Sequence, residues 1–164
     1  MAGTAHTSAP YRNSFKMPLK QKVFDICVAL LNEKIASLHI ILRELEEGAE
    51  NDNKSSAGDK HETSRAMMQL EQEKISRQLA EALAQKAALE KLELVSGEEI
   101  RSGSLIGTNK GFLYLGVAPG KVVVEEKQIA VLSAASPLGK KLLGLKAGDR
   151  ADMNGVVYII ESVD

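Results

Sequence analysis

This chain of 164 residues contains no tryptophan, and aromatic side chains make up only 4% of it. A core built on large rings is thereby excluded. The 44% of hydrophobic residues still predicts a folded protein, packed with Leu, Ile, Val and Ala as in coiled coils. A single cysteine, Cys27, excludes an internal disulfide and a cysteine-based zinc cluster. Charge of one sign is also missing: 21 basic and 22 acidic residues leave a net charge of -1. A basic surface that wraps nucleic acid is not expected, and neither is sequence-specific DNA binding. No apolar run approaches membrane-spanning length. The opening MAGTAHTSAPYRNSFK lacks the apolar core of a secretory signal. A soluble, cytoplasmic protein with no membrane partner is the expectation.

Proline and glycine are absent from two long stretches, residues 19–47 and 59–93. In the first, Phe24, Cys27, Leu31, Ile35, Leu38, Leu42 and Leu45 recur at spacings of three and four, which draws one apolar stripe along a helix. Val23, Val28, Leu30, Ile40 and Ile41 are expected to widen it. Pro18 suits the first helical turn, and Gly48 offers a stop. In the second stretch Met68, Ile75, Ala82 and Leu89 repeat every seven residues, flanked by Leu79, Leu83 and Leu92. Two helices joined by a short polar break should pack antiparallel. The expected organisation is a flexible arm over 1–17, a coiled-coil hairpin over 18–93 with its tip at about 48–62, and a separate C-terminal domain over 94–164. A lone hairpin buries little, so its base is expected to lean on a docked body or a second copy.

From residue 94 the pattern changes to frequent glycine and β-branched runs. SLIGT, GFLYLGV, KVVVEE, QIAVLS and VVYIIESV have strand character. Asn109, Lys110 and Gly111 form one turn signal, and Ala118, Pro119 and Gly120 another. SPLGKKLLGLKAGD interrupts the strands with a short helix, capped by Ser136 and opened by Pro137. The fold class predicted is α+β: the helical hairpin, then a small antiparallel sheet covered on one face by one short helix.

The polar break carries Asp59 and Glu62, three residues apart and so near one face of a helix beginning there. Oxygen ligands of this kind suit Mg²⁺ or Mn²⁺, with further ligands from water, a phosphate or another protein. The competing account is structural. Asp59 is a good N-cap, Glu62 completes an acidic capping box, and both complement the positive end of the helix. Arg65 is placed to pair with Glu62; Lys54 and Lys60 also reduce the negative field, and His61 has no required role. Cys27 on the apolar stripe is a core thiol, and Met67 and Met68 are hairpin packing. Lys140, Lys141 and Lys146 make a basic cluster, either a solvated face or a partner contact. There is no P-loop, dinucleotide fingerprint or catalytic triad pattern, so a self-contained enzyme is not expected.

Two stretches resemble a known family. AGDKHETSRAMMQLEQEK resembles the GD-x-x-E-N-A-E-Y tip motif of the Gre family of bacterial transcript cleavage factors. SPLGKKLLGLKAGD, followed by GVVYIIESV, resembles that family's SP-[IL]-G-x-A-L-L-G-x-x-x-GD and closing strand, and is the more specific match. MPLK at residues 17–20 resembles the family's start, after an additional arm. The resemblance implies a coiled coil that enters the secondary channel of bacterial RNA polymerase and an FKBP-like C-terminal domain, without isomerase activity, that docks at the channel rim. It implies that the tip acids help hold a Mg²⁺ shared with the polymerase, with no cofactor held stably by the chain alone. The polymerase then hydrolyses backtracked RNA, so the nascent RNA 3′ end is met only indirectly.

Carried over, the motif's Asp is Asp59 and its Glu is Glu62. Ser136, Pro137, Leu138, Gly139, Lys140, Lys141 and Lys146 become the partner-binding surface. The motif's Asn-Ala-Glu-Tyr is Thr63, Ser64, Arg65 and Ala66 here, so a base replaces its second acid and a methyl its aromatic. That departure motivates an alternative, a Gre-like polymerase modulator or inhibitor without cleavage. An alternative of another class is a coiled-coil adaptor or structural interaction protein.

Overall fold

The computed structural model describes residues 17–52, 58–117 and 120–164, with the side chains of the second helix described from Glu62 onward. Residues 1–16 of the expected N-terminal arm, Lys54 in the break, and residues 118–119 of the second predicted turn lie outside these described residues.

Among the described residues two long helices come first, α1 over Leu19–Asp52 and α2 over Gly58–Glu90. Leu38 packs with Ile75, Leu79 and Ala82, and the start of α1 (Val23, Cys27, Leu31) meets Leu89 near the end of α2. The helices therefore run antiparallel, with the small-and-large alternation that lets two helices approach closely. At about 1.5 Å per residue, α1 is roughly 50 Å long. It does not stop at Gly48. That glycine lies opposite Met68, whose Cε would stand 3.1 Å from a Cβ there, so its small size lets the seam continue past it. Of the residues expected to widen the stripe, Val23 is fully buried, whereas Leu30, Ile40 and Ile41 are exposed, as is Leu83 on α2. They stand outside the three-four spacing that faces the partner helix, and apolar character alone does not bring them in.

Among the described residues six strands follow: β1 Leu105–Thr108, β2 Gly111–Gly116, β3 Lys121–Val124, β4 Lys127–Ser133, β5 Arg150–Met153 and β6 Val156–Val163. The helix α3, Pro137–Leu142, lies between β4 and β5. The strand order is β3-β4-β2-β1-β6-β5. The sheet is mixed, not wholly antiparallel as expected, because β2 pairs with β4 in parallel. These strands lie inside the sheet, and Leu113, Tyr114, Leu115, Ile129 and Val131 are buried on them. Burial on both faces is what a parallel pair requires. β5 was missed in the sequence because Arg-Ala-Asp-Met carries only one buried residue, Ala151. KVVVEE is shorter as a strand than expected, since Glu125 and Glu126 form the β3–β4 turn with φ of 50° and 63°. Turns of this hand favour Asn and Gly, so a Glu-Glu turn gives no sequence signal.

The sheet is covered on both faces. One face packs on α3 through Ile100, Ile106, Leu113, Leu115, Leu142 and Ile160. The other packs on the base of the hairpin, where Val23, Cys27, Leu31 and Leu89 share a core with Leu105, Tyr114, Val122 and Ile129. At its margin the nearly buried Lys20 donates to the Val95 carbonyl at 3.2 Å and pairs with Asp164 at 3.5 Å, while Lys22 pairs with Glu125. Rod and sheet are thus joined by common apolar burial, ringed by ion pairs.

That joint holds two acids in their neutral form. Burial pushes the Cys27 thiol from 9.0 up to about 11. The Tyr114 phenol is also pushed upward, by burial first and then by Cys27. Its hydroxyl is buried with no hydrogen-bond partner among the described residues, a cost of about 1–3 kcal/mol. The folded chain holds both protons more tightly than the unfolded chain. The Cys27 contribution is complete below pH 9.0 and is lost as pH rises to about 11. The slope is up to about 1.4 kcal/mol per pH unit per proton. Denaturant midpoints measured across this range should fall less steeply for Cys27→Ala than for the native chain; parallel slopes would reject the assignment.

Candidate functional site at the hairpin tip

α2 begins with Gly58-Asp59-Lys60-His61-Glu62. Gly58 is already helical, so Asp59 stands one position inside the helix and not at its N-cap. Asp59 and Glu62 remain three apart in the first two turns, adjacent positions on one helical face. Both positions lie at the positive end of the α2 dipole, which favours carboxylates there. The Glu62 side chain is exposed; the side chains of Asp59, Lys60 and His61 lie outside the described residues. Arg65 is exposed as well, and among the described residues no ion pair joins it to Glu62. Glu44, Glu46, Glu47 and Glu50 are exposed on the last turns of α1, so among the described residues the end of α1 beyond Arg43 is acidic.

Among the described residues, no three His, Cys, Asp or Glu side chains converge as a metal-binding group. The tip positions offer hard oxygen donors in a number that suits sharing a cation with another molecule. The depressions on the sheet domain, among Glu98, Glu99, Arg101 and Lys146, are open to solvent and lined by both signs of charge. No helix among the described residues is long and apolar enough to cross a membrane.

The second candidate surface surrounds α3, on the sheet face away from the rod. The Ser136 hydroxyl accepts from the Gly139 N–H at 3.1 Å and donates to the Ser133 carbonyl at 2.6 Å. Both its functions serve the cap. Gly139 is buried, and a Cβ there would stand 2.1 Å from the Ser133 carbonyl oxygen. The Ser-Pro-x-Gly pattern is thus a steric requirement of this turn. Gly139→Ala should destabilise the sheet domain by about 1–3 kcal/mol, measured by denaturant unfolding. An unchanged midpoint would refute the close approach.

Leu138 is half-buried beside the α3 core, while Pro137, Lys140, Lys141 and Lys146 are exposed. Lys141 donates to the Asp152 carbonyl at 2.6 Å, and Lys146 pairs with Glu99 at 3.4 Å. The predicted partner surface therefore separates into a structural part, Ser136 and Gly139, and a presented part, Pro137 with the lysines. Sequence reasoning overlooked the Asn154-Gly155 turn, with φ of 55° and 79°, which joins β5 to β6. An Asn-Gly pair before an apolar run is a hairpin signal that could have found it.

No protein-family model matches the chain, and no curated protein matches it. Among solved structures it is similar to the GreA factor homolog 1 (Gfh1) protein of Thermus thermophilus. The identity is 21%, over 87% of this chain and 93% of that one, with a TM-score of 0.32. Gfh1 of Thermus aquaticus is similar at 22% identity, over 88% and 93%, with a TM-score of 0.31. Superposition at that level carries no argument about function; the residues themselves must.

Proposed function

We propose that this chain is an accessory factor of bacterial RNA polymerase, which inserts the rod into the polymerase's secondary channel and stimulates cleavage of backtracked RNA. The observation that carries the reading is the pair of acidic positions, Asp59 and Glu62, on the first two turns of α2 at the far end of a rod roughly 50 Å long. The Ser136–Gly139 turn supports it from the other end, because the chain's most family-like stretch is a close-packed turn that presents Pro137 and Lys140.

In this mechanism the sheet domain docks at the channel rim, and the rod positions two carboxylates inside the polymerase. A magnesium ion fits these positions by donor type, with water, RNA phosphate and polymerase groups completing its shell. When bound, the ion supplies Lewis acidity for phosphodiester hydrolysis. The carboxylates gain weight there because a confined, water-poor centre strengthens every charge interaction that bulk solvent screens. The chain supplies position and charge; the hydrolytic activity belongs to the polymerase.

A specific observation favours a second reading, occupancy of the channel without cleavage. Arg65 is exposed three residues beyond Glu62 and is not neutralised by it, so the tip carries a cation where the family motif has an acid. Stalled, backtracked polymerase complexes incubated with Mg²⁺ and this protein separate the two. Accelerated release of short 3′ RNA fragments supports cleavage stimulation. Binding without release supports occupancy, and no binding overturns both.

A further inference from the structure

β3 is an outer strand of the sheet. It joins β4 through the two-residue Glu125–Glu126 turn, with Val124 opposite Lys127 and Val122 opposite Ile129. The N–H of Val131 donates to the Gly120 carbonyl. In such a hairpin the closing pair exchanges hydrogen bonds and the exchange then alternates. Gly120, Val122 and Val124 therefore bond inward to β4, and the N–H and C=O groups of Lys121 and Val123 point out from the sheet. Among the described residues nothing bonds to those outward groups. The Val123 side chain is 62% exposed.

The opposite edge is treated differently. With Met153 opposite Val156 as the closing pair of β5 and β6, the Asp152 backbone points outward by the same alternation. The Lys141 ammonium occupies its carbonyl at 2.6 Å. One edge is thus plugged by a lysine, a protection against strand addition, and among the described residues the other stays open.

The open edge has the sequence Lys121-Val122-Val123-Val124-Glu125-Glu126. It is complementary to itself when reversed. An antiparallel pairing about Val123 sets Val122 opposite Val124 and brings Lys121 beside the acidic turn of the second copy. A parallel pairing would set lysine beside lysine and glutamate beside glutamate. We propose that β3 is a self-recognition edge, through which two copies of this chain pair antiparallel across a two-fold axis at Val123. The pairing contributes reciprocal backbone hydrogen bonds at Val123, covers two exposed valines and places opposite charges at both ends. Four residues of strand bury far less than a standard interface, so the dimer is weak and reversible.

Sedimentation velocity of the full chain, from about micromolar to about millimolar concentration, tests this. A concentration-dependent dimer is expected. Val123→Pro removes the outward N–H and Val123→Lys blunts the edge, each weakening association by about tenfold or more. Both should keep the monomer's circular dichroism, since the Val123 N–H faces away from β4. Lys121→Glu should weaken the dimer, and adding Glu126→Lys should restore it. A chain that stays monomeric throughout, or a dimer indifferent to Val123→Pro, overturns the proposal. In the first case an extended segment of another protein becomes the candidate for the edge.

Discussion

Asp59→Asn and Glu62→Gln are each expected to lower stimulated RNA cleavage at least about a hundredfold, with polymerase binding nearly unchanged. Loss of an outer-shell partner of a metal already costs about ten- to a hundredfold, and on the proposed function these two carboxylates would be direct ligands. The amides keep size and one carbonyl oxygen but lose the negative charge that a hard cation requires. The exposed Glu62 side chain lets its substitution leave the fold intact. Fragment release in stalled complexes would be read together with competition for polymerase against a cleavage-active factor. Retained cleavage by both variants would remove the tip carboxylates from the mechanism. Lost competition together with lost cleavage would show that they act in docking instead.

Leu89→Ala is expected to cost about 2–5 kcal/mol, the range for a buried leucine whose cavity cannot collapse. Leu89 is fully buried and belongs to the cluster that joins Val23, Cys27 and Leu31 of α1 to Leu105 and Tyr114 of the sheet. The cavity would open at the joint, so helical and sheet signals should shift together in one transition. Far-ultraviolet circular dichroism reports the rod, and the tyrosine signal, to which Tyr114 and Tyr158 of the sheet contribute, reports the sheet. Leu83→Ala, at a position 45% exposed, is the control and should move stability by less than about 0.5 kcal/mol. Equal effects of the two substitutions would refute the common core.

The parts of this fold governed by local periodicity could be read from the residues. Ile75, Ala82 and Leu89 announce the seam of α2, and all three are buried. Ser136 and Pro137 announce the start of α3, and Ser136 caps it. What stayed hidden depends on a distant partner. Gly48 looks like a stop until Met68 is placed across from it. The parallel pairing of β2 with β4 depends on which strand of the β3–β4 hairpin lands inward, and no local pattern encodes that. The joint was not visible either, because Cys27 and Tyr114 are 87 positions apart (114 minus 27) and meet only when the hairpin base closes on the sheet. At the tip, spacing placed Asp59 and Glu62 on one face of α2, but misplaced the helix start by one residue and paired Glu62 with Arg65.

The antiparallel seam makes the rod a ruler with discrete graduations. Level with level, Leu38 answers Leu79 and Gly48 answers Met68, so a length change in one helix alone would slide every layer out of match. Seven residues removed from both helices at one level would preserve the match and shorten the reach by about 10 Å. Paired changes that are not whole heptads would have to overwind or unwind the seam locally. The distance at which the tip is held can therefore change, over evolution or in the laboratory, only by paired steps.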